Sequence, residues 1–134
     1  MSLSKVAATA AALVCVALPG IATHASDGVS VSSLIAKPLP ELPGKEVLMI
    51  TVTFAPGAAD PVHRHDAHGF IYVLEGSIVM QVEGGKEVTV KPGETFYEGP
   101  NDVHVVGRNA STTQPAKFLV VLVKKQGAPI LTVE

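Results

Sequence analysis

A two-residue alternation of apolar side chains constrains this chain more than any other feature. Leu48, Ile50, Val52 and Phe54 alternate with Val47, Met49, Thr51 and Thr53, and successive side chains of an extended strand project to opposite faces. The pattern predicts a strand buried on at least one face. Further extended segments follow at Phe70–Leu74, at Ile78, Met80 and Val82, at Val88 and Val90, at Thr95–Glu98, at Val103–Gly107, at Phe118–Val123 and at Ile130–Val133. Gly84-Gly85, Pro92-Gly93 and Gly99-Pro100-Asn101-Asp102 separate several of them. Such clusters mark turns, and Gly84-Gly85 reads as a two-residue hairpin turn. No helical periodicity competes with this pattern from Ser26 onward. Many short strands punctuated by glycine and proline predict an all-β, antiparallel sandwich or closed barrel.

The 134 residues leave room for one domain. Lys5 is the only charge before a run from Val6 to Leu18 that is apolar except for Thr9, and Pro19-Gly20 and then Thr23-His24-Ala25 follow it. That order reads as a signal peptide over 1–25, cleaved after Ala25. The run is shorter than the ~20 residues needed to span a bilayer, so no stable membrane anchor is expected after cleavage. The mature chain is expected to be exported, periplasmic or secreted. Residues 26–45 read as an N-terminal arm or edge strand: Val31–Ile35 favours a strand, and Pro38, Pro40 and Pro43 favour an arm. Residues 46–134 form the barrel. The single cysteine, Cys15, lies in the leader, so the mature domain has neither a disulfide nor a thiolate ligand. Loss of Lys5 leaves 9 basic against 12 acidic residues, a net charge of −3. With no basic cluster and no tryptophan, nucleic-acid binding is excluded as an expectation.

All the histidines beyond the leader fall in two short segments, with His63, His65 and His68 in one and His104 in the other. Positions two apart on an extended strand share a face, so the imidazoles of His63 and His65 can point at one atom. Pairing within a closed barrel could bring His104 opposite them. Three neutral imidazoles with open positions suit one divalent transition metal (Fe, Mn, Zn, Cu or Ni) and not Mg or Ca.

The residues then resemble a known family. Gly57, five residues, His63-Arg64-His65 and later Gly76 are similar to the first cupin motif, and Gly93 followed by His104 is similar to the second. Tyr72-Val73-Leu74-Glu75-Gly76 resembles the strand that closes the first motif, and the resemblance runs from Leu48 to Val123. It implies a jelly-roll barrel, a metal-dependent reaction of dioxygenase-like type on a small-molecule substrate, and a possible homodimer. The chain departs from the pattern at three places. Gly69 stands where the family usually carries a glutamate ligand, Gly99 and Asn101 replace the usual proline and glycine, and Arg108 falls where an asparagine is expected. The resemblance therefore implies three metal ligands, His63, His65 and His104, and leaves open whether water, His68 or Glu98 replaces the carboxylate. Glu98 is also a candidate general base or an acceptor that fixes a histidine tautomer. Gln81 is a candidate for the barrel interior beside Val79, Tyr72 for the pocket wall, and Arg108 for pairing with a substrate carboxylate. Two functions follow: a metalloenzyme, or an exported protein that holds a metal or small ligand without turnover.

Overall fold

The computed structural model describes residues 27–134, and the predicted leader at 1–25 lies outside the described residues. Ten strands run through them: β1 (Val29–Pro38), β2 (Lys45–Phe54), β3 (His63–Arg64), β4 (Ala67–Glu75), β5 (Ile78–Val82), β6 (Val88–Val90), β7 (Thr95–Glu98), β8 (His104–Asn109), β9 (Ala116–Lys125) and β10 (Thr132–Val133). They form two five-stranded sheets, ordered β1-β2-β9-β4-β7 and β10-β3-β8-β5-β6, and every pairing is antiparallel. No helix among the described residues is long and apolar enough to cross a membrane.

The two-residue alternation accounts for the core. Leu48, Ile50, Val52 and Phe54 of β2 are buried, and so are Phe118, Val120 and Leu122 of β9. These two strands pair along their full lengths, from Lys45 opposite Lys125 to Phe54 opposite Ala116. The Phe54 and Phe118 rings meet edge to face at 5.1 Å. Ile71 and Val73 of β4 and Ile78 and Met80 of β5 complete the cluster between the sheets. Each such side chain contributes roughly 1.5–3 kcal/mol by leaving water.

β1 is an edge strand hydrogen-bonded to β2 from Val29 to Pro38, with an irregularity between Ser33 and Ile35. Pro40 and Pro43 lie beyond it in the turn to β2. The β5–β6 connection is longer than a two-residue hairpin, because the last pair is Met80 with Val88. Val82 pairs with His104 instead, and only Gly84 of the glycine pair has positive φ, at 77°.

One buried charge anchors the end of β9. Lys124 is 2 % exposed, and its Nζ donates to Glu46 Oε1 and to the Ala128 carbonyl, both at 2.6 Å. The Lys124 hydrogen bond holds the Glu46 carboxyl below its ordinary 4.5 despite partial burial. The stability this group contributes is present above that pH and lost as pH falls. Glu46→Ala leaves the ammonium with carbonyls alone and is expected to cost about 2–3 kcal/mol, measured by urea unfolding at neutral pH. An unchanged midpoint would refute that assignment.

Candidate metal centre

β3 is two residues long, and it places His63 directly across from His104 on β8. His65 follows, and Asp66 then turns the chain into β4 at a φ of 47°, a left-handed conformation that aspartate tolerates better than most residues. The result is three imidazoles whose donor atoms all lie within 4.8 Å of one another.

Backbone carbonyls fix two of the rings. His63 Nδ1 donates to Pro61 O at 2.7 Å, and His65 Nδ1 donates to Ile130 O at 2.6 Å. A carbonyl only accepts, so both Nδ1 atoms carry their hydrogen and both Nε2 atoms are left to face each other, at 3.2 Å. Only a shared proton or a cation reconciles that approach. His104 is 3 % exposed, and neither ring nitrogen makes a well-formed hydrogen bond, with only the Glu98 carboxylate at 3.4 Å from Nδ1 and the Val106 backbone as weak partners. A buried polar group left so costs about 1–3 kcal/mol, and coordination to an ion would satisfy it. The donor set therefore fits a transition metal.

Glu98, at the end of β7, is also buried. Its Oε1 lies 3.1 Å from His65 Nε2 and its Oε2 lies 3.4 Å from His104 Nδ1. Burial alone pushes the Glu98 carboxyl up, but the three surrounding imidazoles, His65 foremost, hold it below its ordinary value. Burial likewise pushes His65 down, and Glu98 with the Ile130 carbonyl more than reverses it. Burial dominates at the other two rings, taking His63 down to about 4 and His104 down as well. Without an ion, these shifts favour the charged form of His65 and of Glu98, each beside the other, and the neutral form of His63 and His104.

The cavity beside these groups holds about 50 Å³. One water takes about 10–15 Å³ on that scale, so it admits an ion and a few light atoms. Ile50, Ile71, Met80, Phe118 and Val120 supply its apolar wall.

The structure brings His63, His65, His104 and Glu98 together and leaves four other candidates elsewhere. His68 points outward, because Ala67 and Gly69 take the inward positions of β4, and its Nδ1 is 2.7 Å from Tyr97 Oη. Tyr72 shares that outward parity and is 44 % exposed. Gln81 folds back to donate to the Gly85 carbonyl at 2.9 Å, and Met80 takes the interior place beside the cavity. Arg108 pairs with Glu87 at 3.3 Å on the outside, away from the imidazoles.

Two residues at the cavity carry no motif that marks them. Asp60 lines it and is held by a backbone bond from its N–H to the Gly107 carbonyl, 2.8 Å. Gly107 brings the β8 backbone close behind the site: a Cβ there would stand 3.1 Å from His104 Cε1 and 3.4 Å from Asp60 Oδ2. A glycine inside a strand is the one available signal of such a close approach.

Residues 50–122, more than half of the chain, match the Cupin_2 family, described as a cupin domain. The chain is a cupin. It is 37% identical over 62 residues to the pectin degradation protein KdgF of Dickeya dadantii (strain 3937), covering 46% of this chain and 56% of that one. It is 31% identical over 87 residues to auxin-binding protein T85 of Nicotiana tabacum, covering 58% and 46%. This cupin thus spans about half the length of the curated relatives it matches. Among solved structures, an oxalate oxidase in complex with the substrate analogue glycolate superposes with a TM-score of 0.61 at 27% identity, covering 81% of this chain and 56% of that one. The two sheets are accordingly those of a cupin jelly roll.

Proposed function

We propose that this cupin is a metalloenzyme of dioxygenase-like type, acting on a small oxygen-bearing molecule at an ion held by His63, His65 and His104. One observation carries the reading: three buried or half-buried imidazoles turn donor atoms to one place, all within 4.8 Å of one another, with the Nδ1 hydrogens of His63 and His65 committed to carbonyls so that each Nε2 is the free donor. A bound Fe, Mn, Zn, Cu or Ni ion would supply Lewis acidity and, for the redox-active members, electron transfer. The protein's own part is to orient the donors, to exclude water with Ile71, Met80 and Phe118, and to limit substrate size through a cavity of about 50 Å³. The likeness to an oxalate oxidase solved with glycolate supports a small acid or hydroxy acid as substrate. Lys5 and the apolar run after it support export.

Binding without turnover is the second reading, favoured by the likeness to a protein named for binding auxin. The test is metal content. Protein purified without a histidine tag or chelator is assayed by elemental mass spectrometry beside His63→Ala and His104→Ala. One equivalent of one metal, lost in both variants, is expected. Oxygen uptake with oxalate and glycolate then separates turnover from binding. No metal under any loading condition would overturn the site.

A further inference from the structure

The family's usual carboxylate position is occupied here by Gly69, and Gly69 pairs directly across the β4–β7 ladder with Glu98. Both residues face inward: Ala67, Gly69, Ile71 and Val73 alternate into the core, and Glu98 is buried. A Cβ at position 69 would lie 2.9 Å from Glu98 Cγ and 3.1 Å from its Oε1. The Glu98 side chain therefore fills the volume that a side chain at 69 would need, and the two positions can hold one inward side chain between them.

On the reading that His63, His65 and His104 hold a metal, we infer that Glu98 is its fourth protein ligand, with the carboxylate moved one strand across the sheet from position 69. The spacing of the donors supports this. Atoms bound to one first-row ion at about 2.1 Å stand about 3.0 Å apart at right angles and about 3.4 Å apart at the tetrahedral angle. His63 Nε2 and His65 Nε2 are 3.2 Å apart, His65 Nε2 and Glu98 Oε1 3.1 Å, and Glu98 Oε2 and His104 Nδ1 3.4 Å. Glu98 thus stands at ligand-to-ligand distance from His65 through Oε1 and from His104 through Oε2, while the three imidazoles alone form the tightest donor group, so the carboxylate joins them by turning one oxygen further in. Chemically, a Glu98 ligand keeps the single negative charge that a carboxylate at position 69 would bring, where three imidazoles alone bring none. It does so from the β7 side, adjoining the turn that leads to His104.

The test is a Co²⁺ titration of the metal-free protein, read by affinity and by the visible bands of the bound ion, which respond to the ligand set. Loss of an outer hydrogen-bonding partner costs about 10–100-fold in affinity, so Glu98→Gln is expected to weaken binding by more than about 100-fold and to change the bands. Gly69→Glu combined with Glu98→Gly returns the carboxylate to the family's place and is expected to restore both affinity and spectrum. A Glu98→Gln protein with the wild-type spectrum, or with a smaller loss of affinity, puts Glu98 outside the coordination sphere and overturns the inference. So does a double variant that keeps its melting temperature and binds no better than Glu98→Gln. His104→Ala, titrated beside them, separates the two levels of failure: wild-type binding in that variant sinks the three-histidine site itself.

Discussion

Gly76→Ala is expected to destabilise the fold by about 4 kcal/mol or more, out of a total that for domains of this size is about 5–15 kcal/mol. Gly76 turns the chain from β4 to β5 at a φ of 67°, where a side chain already costs about 1–2 kcal/mol. The larger part is steric. A Cβ would stand 2.5 Å from the Pro115 carbonyl oxygen and 2.9 Å from Ala116 Cα. Both are backbone atoms that lead into β9, and Ala116 is itself fully buried beside Phe54 at the end of the β2–β9 ladder. Relief must therefore come from moving a central strand. Gly84→Ala isolates the conformational part, because Gly84 has a φ of 77° with nothing within 4 Å of the added carbon. Urea midpoints should fall slightly for Gly84→Ala and steeply, or to no folded baseline, for Gly76→Ala. Equal losses in the two would show that the backbone contact at Pro115 is soft.

The second large effect runs in the stabilising direction. Burial pushes the Asp60 carboxyl up from 3.8 to about 6, with His65 opposing the change and Glu98 adding to it. The folded chain therefore holds the Asp60 proton more tightly than the unfolded chain does. Stability linked to this group is full below pH 3.8 and is lost as pH rises through about 6. The gap corresponds to on the order of 3 kcal/mol at neutral pH. Asparagine has nearly the same shape and no charge to bury. Metal-free Asp60→Asn is expected to match the wild type near pH 4 and to exceed its stability by up to about 3 kcal/mol above pH 6. A difference that stays constant across that range would mean the carboxylate is solvated.

The core of this fold was legible because β2 and β9 bury one face each, and alternation exposes such strands directly. Phe70–Leu74 was less legible. Its outward residues Phe70, Tyr72 and Leu74 are as apolar as the inward Ile71 and Val73, so composition could not assign Tyr72 a face. Gln81 misled for a different reason. The register to β8 is regular from Ile78 to Gln81, so Val79 and Gln81 do share a face, but the core cluster takes Ile78 and Met80 and leaves Val79 out, and the face they share is the outer one. The three histidines could be read because ligand spacing survives in one dimension. What holds them could not. The acceptor for His65 is a backbone carbonyl at Ile130, a residue far along the chain, and a carbonyl leaves no mark on residue type. Glu98 stood out only as one alternative among three, because its relation to Gly69 is a matter of cross-strand register.

The carbonyl acceptors at Pro61 and Ile130 bear on any ion this pocket would take. Two rings are aimed before an ion arrives, so on the proposed reading an ion would meet donors whose separation is already set. Raw affinity for nitrogen donors rises toward copper whatever the protein, and selectivity rests on geometry and on supply. Cations that tolerate the preset separation would then compete by what is free where the chain folds, and loading one sequence in two media would show how far supply decides the occupant.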